Sequence, residues 1–175
     1  MIKDILLFYS LTLIYKEKKW KKKCKIGDKV PKFKIPLSDG NSLDSKDIKD
    51  KKYILYFYPK DNTPGCTTEA KDFTNKIKEF KKLNTQVIGI SKDSLETHNK
   101  FINKQGLKVL LASDESGKVL EKFGVWVEKN MYGRKYMGIQ RSTFLINEES
   151  KIEYIWEKVK VKGHVEDVIN KIKSS

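Results

Sequence analysis

An α/β fold, with a mixed central sheet and helices on both faces, is what the pattern of this chain predicts. Three observations carry that expectation. A short apolar and aromatic run, Tyr53-Ile54-Leu55-Tyr56-Phe57-Tyr58, passes through a proline-bearing loop straight into a helix start. Short apolar runs then alternate, as far as Phe123, with stretches whose apolar residues recur every three or four positions. Beyond about residue 140 the pattern changes to two alternating runs around a polar turn, followed by one more amphipathic stretch. At 175 residues the chain is long enough for one sizeable core and too short to need two.

The run at 53–58 reads as a buried strand because it is short, rich in aromatics and closed by Pro59. Ala70, Phe73, Ile77, Phe80 and Leu83 share one helical face, which predicts a single helix over about 64–83. Gln86 to Ser91 reads as a second strand with Val87-Ile88-Gly89-Ile90 as its buried centre. Ser94 suits the N-cap of a helix carrying Leu95, Phe101 and Ile102 and ending near Gly106. Val109-Leu110-Leu111 reads as a third strand, followed by a helix with Val119, Leu120 and Phe123 that stops at Gly124. Ser142 to Ile146 and Ile152 to Trp156 alternate around Asn147-Glu148-Glu149-Ser150, which predicts an antiparallel hairpin. Val165, Val168, Ile169 and Ile172 make a closing helix.

The chemistry gathers where the first strand ends, in Pro59-Lys60-Asp61-Asn62-Thr63-Pro64-Gly65-Cys66-Thr67. Thr63 suits an N-cap, and Pro64 suits the first helical position, where a missing N–H costs nothing. Cys66 then falls at the third position of the first turn, near unpaired backbone N–H groups and the positive end of the helix dipole. Both favour a thiolate, the reactive form of the side chain. Cys24 is the only other cysteine, too few for a disulfide-built scaffold. With no Cys-x-x-Cys or Cys/His cluster, no metal site and no bound cofactor are expected. His98 and His164 lie far apart without ligand spacing, and each reads as an ordinary surface or partly packed side chain.

The spacing Pro59-x-x-x-Thr63-x-x-Cys66 resembles the active-site signature of peroxiredoxins, thiol peroxidases that reduce hydroperoxides. Phe57 to Thr67 is most similar to the branch known as bacterioferritin comigratory protein or peroxiredoxin Q. Gly89-Ile90-Ser91, Ser113-Asp114, Phe123-Gly124-Val125-Trp126 and Gly138 to Ile146 match it further, in the family's order, from about residue 26 to the C-terminus. The resemblance implies a thioredoxin-like fold with an added N-terminal hairpin, here about 33–45. It implies a peroxidase, serving antioxidant defence, in which Cys66 attacks hydrogen peroxide or an organic hydroperoxide and becomes a sulfenic acid. By the same resemblance Arg141 fixes the thiolate and polarises the peroxide, Thr63 places its hydroxyl beside the sulfur, and Pro59 shields the pocket. Glu69 orients Arg141, and the backbone N–H groups of Gly65 and Cys66 complete the donor set. Taken singly these residues have plainer readings: an inert packed cysteine, a helix cap, a turn proline, a surface ion-pair partner. The ordered series of matches outweighs them.

One departure matters. Many members of the branch carry a second, resolving cysteine five residues after the first, and that position here is Lys71. The helix at 94–105, where other members place it, has none either. The sulfenic acid must be reduced by an outside thiol, such as thioredoxin, glutaredoxin or glutathione, or by Cys24. The enzyme could act as a monomer or a dimer.

The net charge of +14 raises nucleic acid or an anionic membrane as partners, but it is unevenly placed. Residues 1–34 hold eleven lysines against Asp4, Glu17 and Asp28, a net +8 that leaves +6 for the remaining 141 residues. Arginine, the better phosphate and guanine reader, occurs only as Arg134 and Arg141, so a solvated basic surface is favoured over specific nucleic-acid binding. Residues 1–25 read as an extension to a domain at 26–175. Its apolar run at 5–14 is too short to cross a bilayer as a helix and is followed by a basic stretch with Trp20. A targeting segment, a membrane-surface segment and an added packed element remain open for it, and the domain itself is expected in the cytoplasm. Two rival functions fit the residues less well. A thiol-disulfide oxidoreductase needs Cys-x-x-Cys, and Glu69 occupies the second place. A basic binding module that lost catalysis does not account for Pro59, Thr63, Cys66 and Arg141 occurring together.

Overall fold

The structure is a computed structural model and describes residues 23–175. The expectations for residues 1–22 lie outside the described residues. A five-stranded sheet in the order β5-β4-β3-β8-β9 forms the centre. Its strands are β3 (Lys52–Phe57), β4 (Thr85–Ser91), β5 (Leu110–Ser113), β8 (Ser142–Ile146) and β9 (Ile152–Trp156). β3, β4 and β5 are parallel, whereas β8 runs antiparallel to both β3 and β9, so the sheet is mixed. Among the described residues five α-helices surround it: α1 (Pro64–Asn75), α2 (Ile77–Lys82), α3 (Leu95–Gln105), α4 (Lys118–Phe123) and α5 (His164–Lys173).

β3 shows how two cores arise from one run of apolar residues. Side chains alternate across a strand. Tyr53, Leu55 and Phe57 therefore join one cluster with Phe33, Leu43, Val119, Leu120 and Phe123. Ile54, Tyr56 and Tyr58 join the other, with Cys66, Phe73, Phe80, Phe101, Val165 and Ile169. The second face is covered by α1, α2, α3 and α5. The first is covered by α4 and by the expected N-terminal hairpin, β1 (Lys34–Pro36) with β2 (Ser42–Asp44), which is antiparallel. Cys24 packs in this first cluster. Gly89 lies under the Tyr56 ring, where a Cβ would come within 2.5 Å of Cζ, so only glycine lets that tyrosine lie across the sheet.

Two expectations need correction. The helix at 64–83 is interrupted at Lys76, whose backbone (φ −98, ψ 4) ends α1 and starts α2. Apolar spacing continues across the break because both segments pack on the same face, so periodicity alone could not detect it. The segment after Gly124, read as having no element, forms an antiparallel hairpin, β6 (Trp126–Met131) with β7 (Arg134–Ile139), outside the central sheet. Its strands are largely exposed and carry no apolar alternation. The turn signal was Tyr132-Gly133, both at positive φ (51 and 79), as a two-residue hairpin loop requires.

Candidate active site

Strand register brings the site together. Phe57 at the end of β3 pairs with Ser142 at the start of β8, so Arg141 stands beside the point where β3 exits toward α1. Val159 N–H donates to the Arg141 carbonyl at 3.0 Å and fixes the backbone there. Thr63 takes the N-cap position with extended backbone, Pro64 opens the helix and Cys66 is its third residue, as the sequence predicts. The helical hydrogen-bond ladder begins with Thr67 N–H to Thr63 O at 2.9 Å, which leaves the N–H groups of Gly65 and Cys66 in the turn ahead of it as donors.

Arg141 binds two partners through its fork. Nη2 donates to Cys66 Sγ at 3.1 Å and Nη1 donates to Glu69 Oε2. A Cβ at Gly65 would lie 3.4 Å from Nη2, so the guanidinium rests on the bare backbone of the first helical turn. Cys66 is 1 % exposed and Glu69 is fully buried. Burial opposes the charge on Arg141, but the Glu69 carboxylate and the Cys66 sulfur hold its pKa above the ordinary value. Burial also pushes the Glu69 carboxyl up to about 7 against the pull of Arg141, with Asp72 adding to the rise. Glu69 Oε1 has no hydrogen-bond partner, consistent with a carboxyl strained toward its neutral form.

Of the other expected residues, Thr63 does not cap the helix with its side chain. Its hydroxyl donates to Lys60 O at 3.0 Å, which commits the hydrogen and leaves the oxygen lone pairs to accept. Pro59 is exposed where β3 gives way to the loop. His98 and His164 correct the expectation of surface or partly packed side chains, since both are buried. His164 Nε2 meets Thr143 Oγ1 at 2.8 Å, and His98 Nδ1 meets Asp61 Oδ2 at 2.8 Å, with Nε2 3.2 Å from Ala112 O. Asp61 also accepts from Tyr58 Oη at 2.7 Å and donates its own N–H to Asp93 Oδ2 at 2.9 Å. The loop that presents Thr63 and Cys66 is thus braced by Tyr58 just after β3, His98 of α3 and the partly buried Asp93 in the turn after β4. Those partners lie 32 and 37 residues from Asp61 in the chain, and no local pattern announces them. Lys129 was also missed. Its stem lies over Gly138, where a Cβ would be 3.2 Å from Cδ, and it interacts with both Arg141 and Cys66.

Cys24 does not join this group. Its Sγ–H donates to Lys122 O at 3.3 Å, and burial, with Asp28 adding, pushes its pKa up to about 11. Both cysteines are free. Among the described residues no cluster of His, Cys, Asp and Glu could hold a metal ion, and no helix is long and apolar enough to cross a membrane.

A cysteine sulfur at a helix start beside a fixed guanidinium, with glutamate in the second place of a Cys-x-x-Cys, is an arrangement suited to thiol-dependent peroxidase chemistry rather than to disulfide exchange. Residues 26–155 match the AhpC/TSA family. A Bacillus subtilis protein named peroxiredoxin Bcp is 46 % identical over 148 residues, 85 % of this chain and 94 % of its own. A peroxiredoxin Q variant from Xylella fastidiosa superposes with a TM-score of 0.82 at 39 % identity, covering 87 % of this chain and 98 % of that one. The Xanthomonas campestris bacterioferritin comigratory protein, described for its alkyl peroxide reduction activity, gives 0.78 at 40 % identity over 81 % and 90 %. The chain belongs to the AhpC/TSA family of peroxiredoxins, and its relatives there are Bcp and peroxiredoxin Q proteins.

Proposed function

We propose that Cys66 is the nucleophile of this thiol-dependent peroxidase and that Arg141, Thr63 and Glu69 form its working site. The observation that carries the reading is the fork of Arg141, which joins Cys66 Sγ at 3.1 Å to the buried Glu69. The Cys66 thiolate attacks the hydroxyl oxygen of a hydroperoxide. The S–O bond forms as the O–O bond breaks, and the leaving oxygen takes a proton to become water or an alcohol. Arg141 offsets charge on sulfur and then on the departing oxygen, with the Gly65 and Cys66 N–H groups beside it. Thr63 Oγ, with its hydrogen committed to Lys60 O, can only accept, and so orients the peroxide O–H. Glu69 positions Arg141, and Pro59 shapes the loop at the mouth.

Hydrogen peroxide and organic hydroperoxides are the substrates, and an outside thiol of the thioredoxin, glutaredoxin or glutathione kind is the reductant. Cys24 supports this assignment by its place in the opposite core cluster from Cys66. The catalytic unit is the domain at 26–175, acting in a compartment that keeps the donor thiol reduced, such as the cytoplasm. Intact-mass analysis after one equivalent of peroxide tests the reading. One added oxygen on Cys66 is expected, unchanged in Cys24→Ser and absent in Cys66→Ser. A peroxide-induced loss of two hydrogens through a Cys24–Cys66 disulfide would make this a two-cysteine enzyme, and full peroxide consumption by Cys66→Ser would end the assignment.

A further inference from the structure

The hairpin of β6 and β7 stands apart from the core that explains the rest of the fold. Among the described residues the exposed large apolar side chains are Ile26, Met131, Tyr132, Tyr136 and Met137, and four of these five are on this hairpin. Tyr132 at its tip is 99 % exposed. A concentration of Tyr and Met at the surface is the composition of an interface, whereas scattered single apolar residues need no explanation. The base of the hairpin is firm: Gln140 N–H donates to Val125 O at 2.8 Å and Ile139 is buried. Arg141 follows two residues after Ile139, and the Lys129 charge on β6 acts on both Arg141 and Cys66, so the base of the hairpin adjoins the Cys66 site while Ile139 and Trp126 anchor it in the cluster on the other face.

We propose that this hairpin is the docking surface for a protein dithiol that reduces the Cys66 sulfenic acid, an inference that rests on the peroxidase reading above. With lysine at position 71 and Cys24 on the far face of the sheet, the sulfur that resolves Cys66 comes from outside. A small thiol needs no apolar platform beside the site, but a protein does. The hairpin carries Lys129, Arg134 and Lys135 against Glu128, of which Lys135 and Glu128 pair at 3.1 Å. On a chain of net charge +14, a second copy would bring like charges together, whereas an acidic partner meets opposite ones. The occupant is therefore an acidic dithiol protein of the thioredoxin or glutaredoxin type, with apolar groups around its reactive cysteine.

The chemistry balances without further reactants. The partner's first thiol displaces the sulfenic oxygen as water and forms a mixed disulfide with Cys66, and its second thiol then breaks that bond, leaving a partner disulfide and a reduced Cys66. Because the Cys66 sulfur is 1 % exposed, the first turn of α1 has to yield, and docking on the hairpin holds the donor at that opening.

The test uses the full chain, a Tyr132→Ser/Met137→Ser variant and an Arg134→Glu/Lys135→Glu variant, assayed with an acidic thioredoxin and with dithiothreitol. Expected is a fall of about tenfold or more in kcat/KM for thioredoxin, carried mainly by KM. Turnover with dithiothreitol and the single-turnover oxidation of Cys66 should hold within about twofold of the unmodified chain. Equal thioredoxin kcat/KM in all three proteins would overturn the proposal. So would a dimer in sedimentation that the variants abolish, which would assign the hairpin to a second copy. Absence of Cys66 sulfenic acid in the unmodified chain is a different failure, and brings down the peroxidase reading itself.

Discussion

Replacing Arg141 with lysine separates the two tasks of its guanidinium. The planar fork serves Glu69 through Nη1 and Cys66 Sγ through Nη2 at 3.1 Å. An ammonium is a single point charge on a flexible stem and cannot span both partners in that geometry. Glu69 is fully buried and its Oε1 already lacks a partner, so the carboxylate has the stronger claim on the new cation. Lysine therefore keeps the buried acid paired and withdraws the donor from sulfur. Loss of one positioned donor at a site of developing charge costs about 2 to 4 kcal/mol of transition-state stabilisation. That is about 30- to 1000-fold in rate. The assay is rapid mixing of the reduced protein with substoichiometric hydrogen peroxide, quenched and read by the mass of the Cys66 peptide. Arg141→Ala is the companion variant. It removes the charge that holds the Glu69 carboxyl down to about 7, so the buried acid should take a proton near neutral pH and the rate should fall with little loss of stability. A lysine variant within about threefold of the unmodified rate would show that Arg141 contributes through Glu69 alone and not at the sulfur.

Two further predictions concern stability against pH. Burial holds the His164 imidazole down at about 4, with Asp167 raising and Arg141 lowering it. The folded state then binds fewer protons than the unfolded chain between about pH 6.5 and pH 4. Stability is lost as pH falls through that window, by up to about 3 kcal/mol. Because Glu69 acts in the opposite sense over the same range, the check is a difference: from neutral pH to about pH 4.5, urea unfolding should show His164→Gln losing less stability, or gaining more, than the unmodified chain, and an equal change in both would refute the assignment. Glu69 has the opposite sign. Its carboxyl is raised to about 7 from 4.5, so the folded state holds the extra proton and stability declines as pH rises between those values. The same titration on Glu69→Gln should remove that decline, and a decline of unchanged size would place the proton elsewhere.

The fold was legible wherever burial wrote a pattern. The strand at 53–58 and the closing hairpin at 142–146 and 152–156 carry apolar residues on faces that the structure buries, and their observed bounds are Lys52–Phe57, Ser142–Ile146 and Ile152–Trp156. Ser94 caps α3 by accepting from Thr97 N–H, and Gly106 ends it at φ 64, both local signals. The break at Lys76 was not legible, because packing on one face preserves the apolar spacing through it. The hairpin at 126–139 was not legible either, because its exposed strands bury too little to impose alternation. At the site, the helix-start chemistry of Thr63, Pro64 and Cys66 could be read from adjacent residues. The meeting of Cys66 with Arg141, 75 residues apart in the chain, depends on the register of β3 with β8, and only the family resemblance pointed to it. The Asp61 to His98 brace had no such pointer, since a single buried acid and a single buried histidine look like surface residues until a tertiary contact joins them.

Topology also bears on how the catalytic cycle closes. β3 sends Tyr53, Leu55 and Phe57 to the cluster that holds Cys24, and Ile54, Tyr56 and Tyr58 to the one that holds Cys66. The two sulfurs thus pack on opposite faces of the central sheet, whereas a disulfide needs Cα atoms about 4.4 to 6.8 Å apart. To reach Cys66, the segment carrying Cys24 would have to leave its place against α4, where Lys23 packs on Gly124 and the thiol donates to Lys122 O. An outside donor does not face this obstacle, since it brings its own thiol to the site beside Arg141. With lysine at position 71, the proposed outside donor carries out the second half of the reaction at the protein surface, and the hairpin with the exposed Tyr132 and Met137 is the surface proposed to receive it.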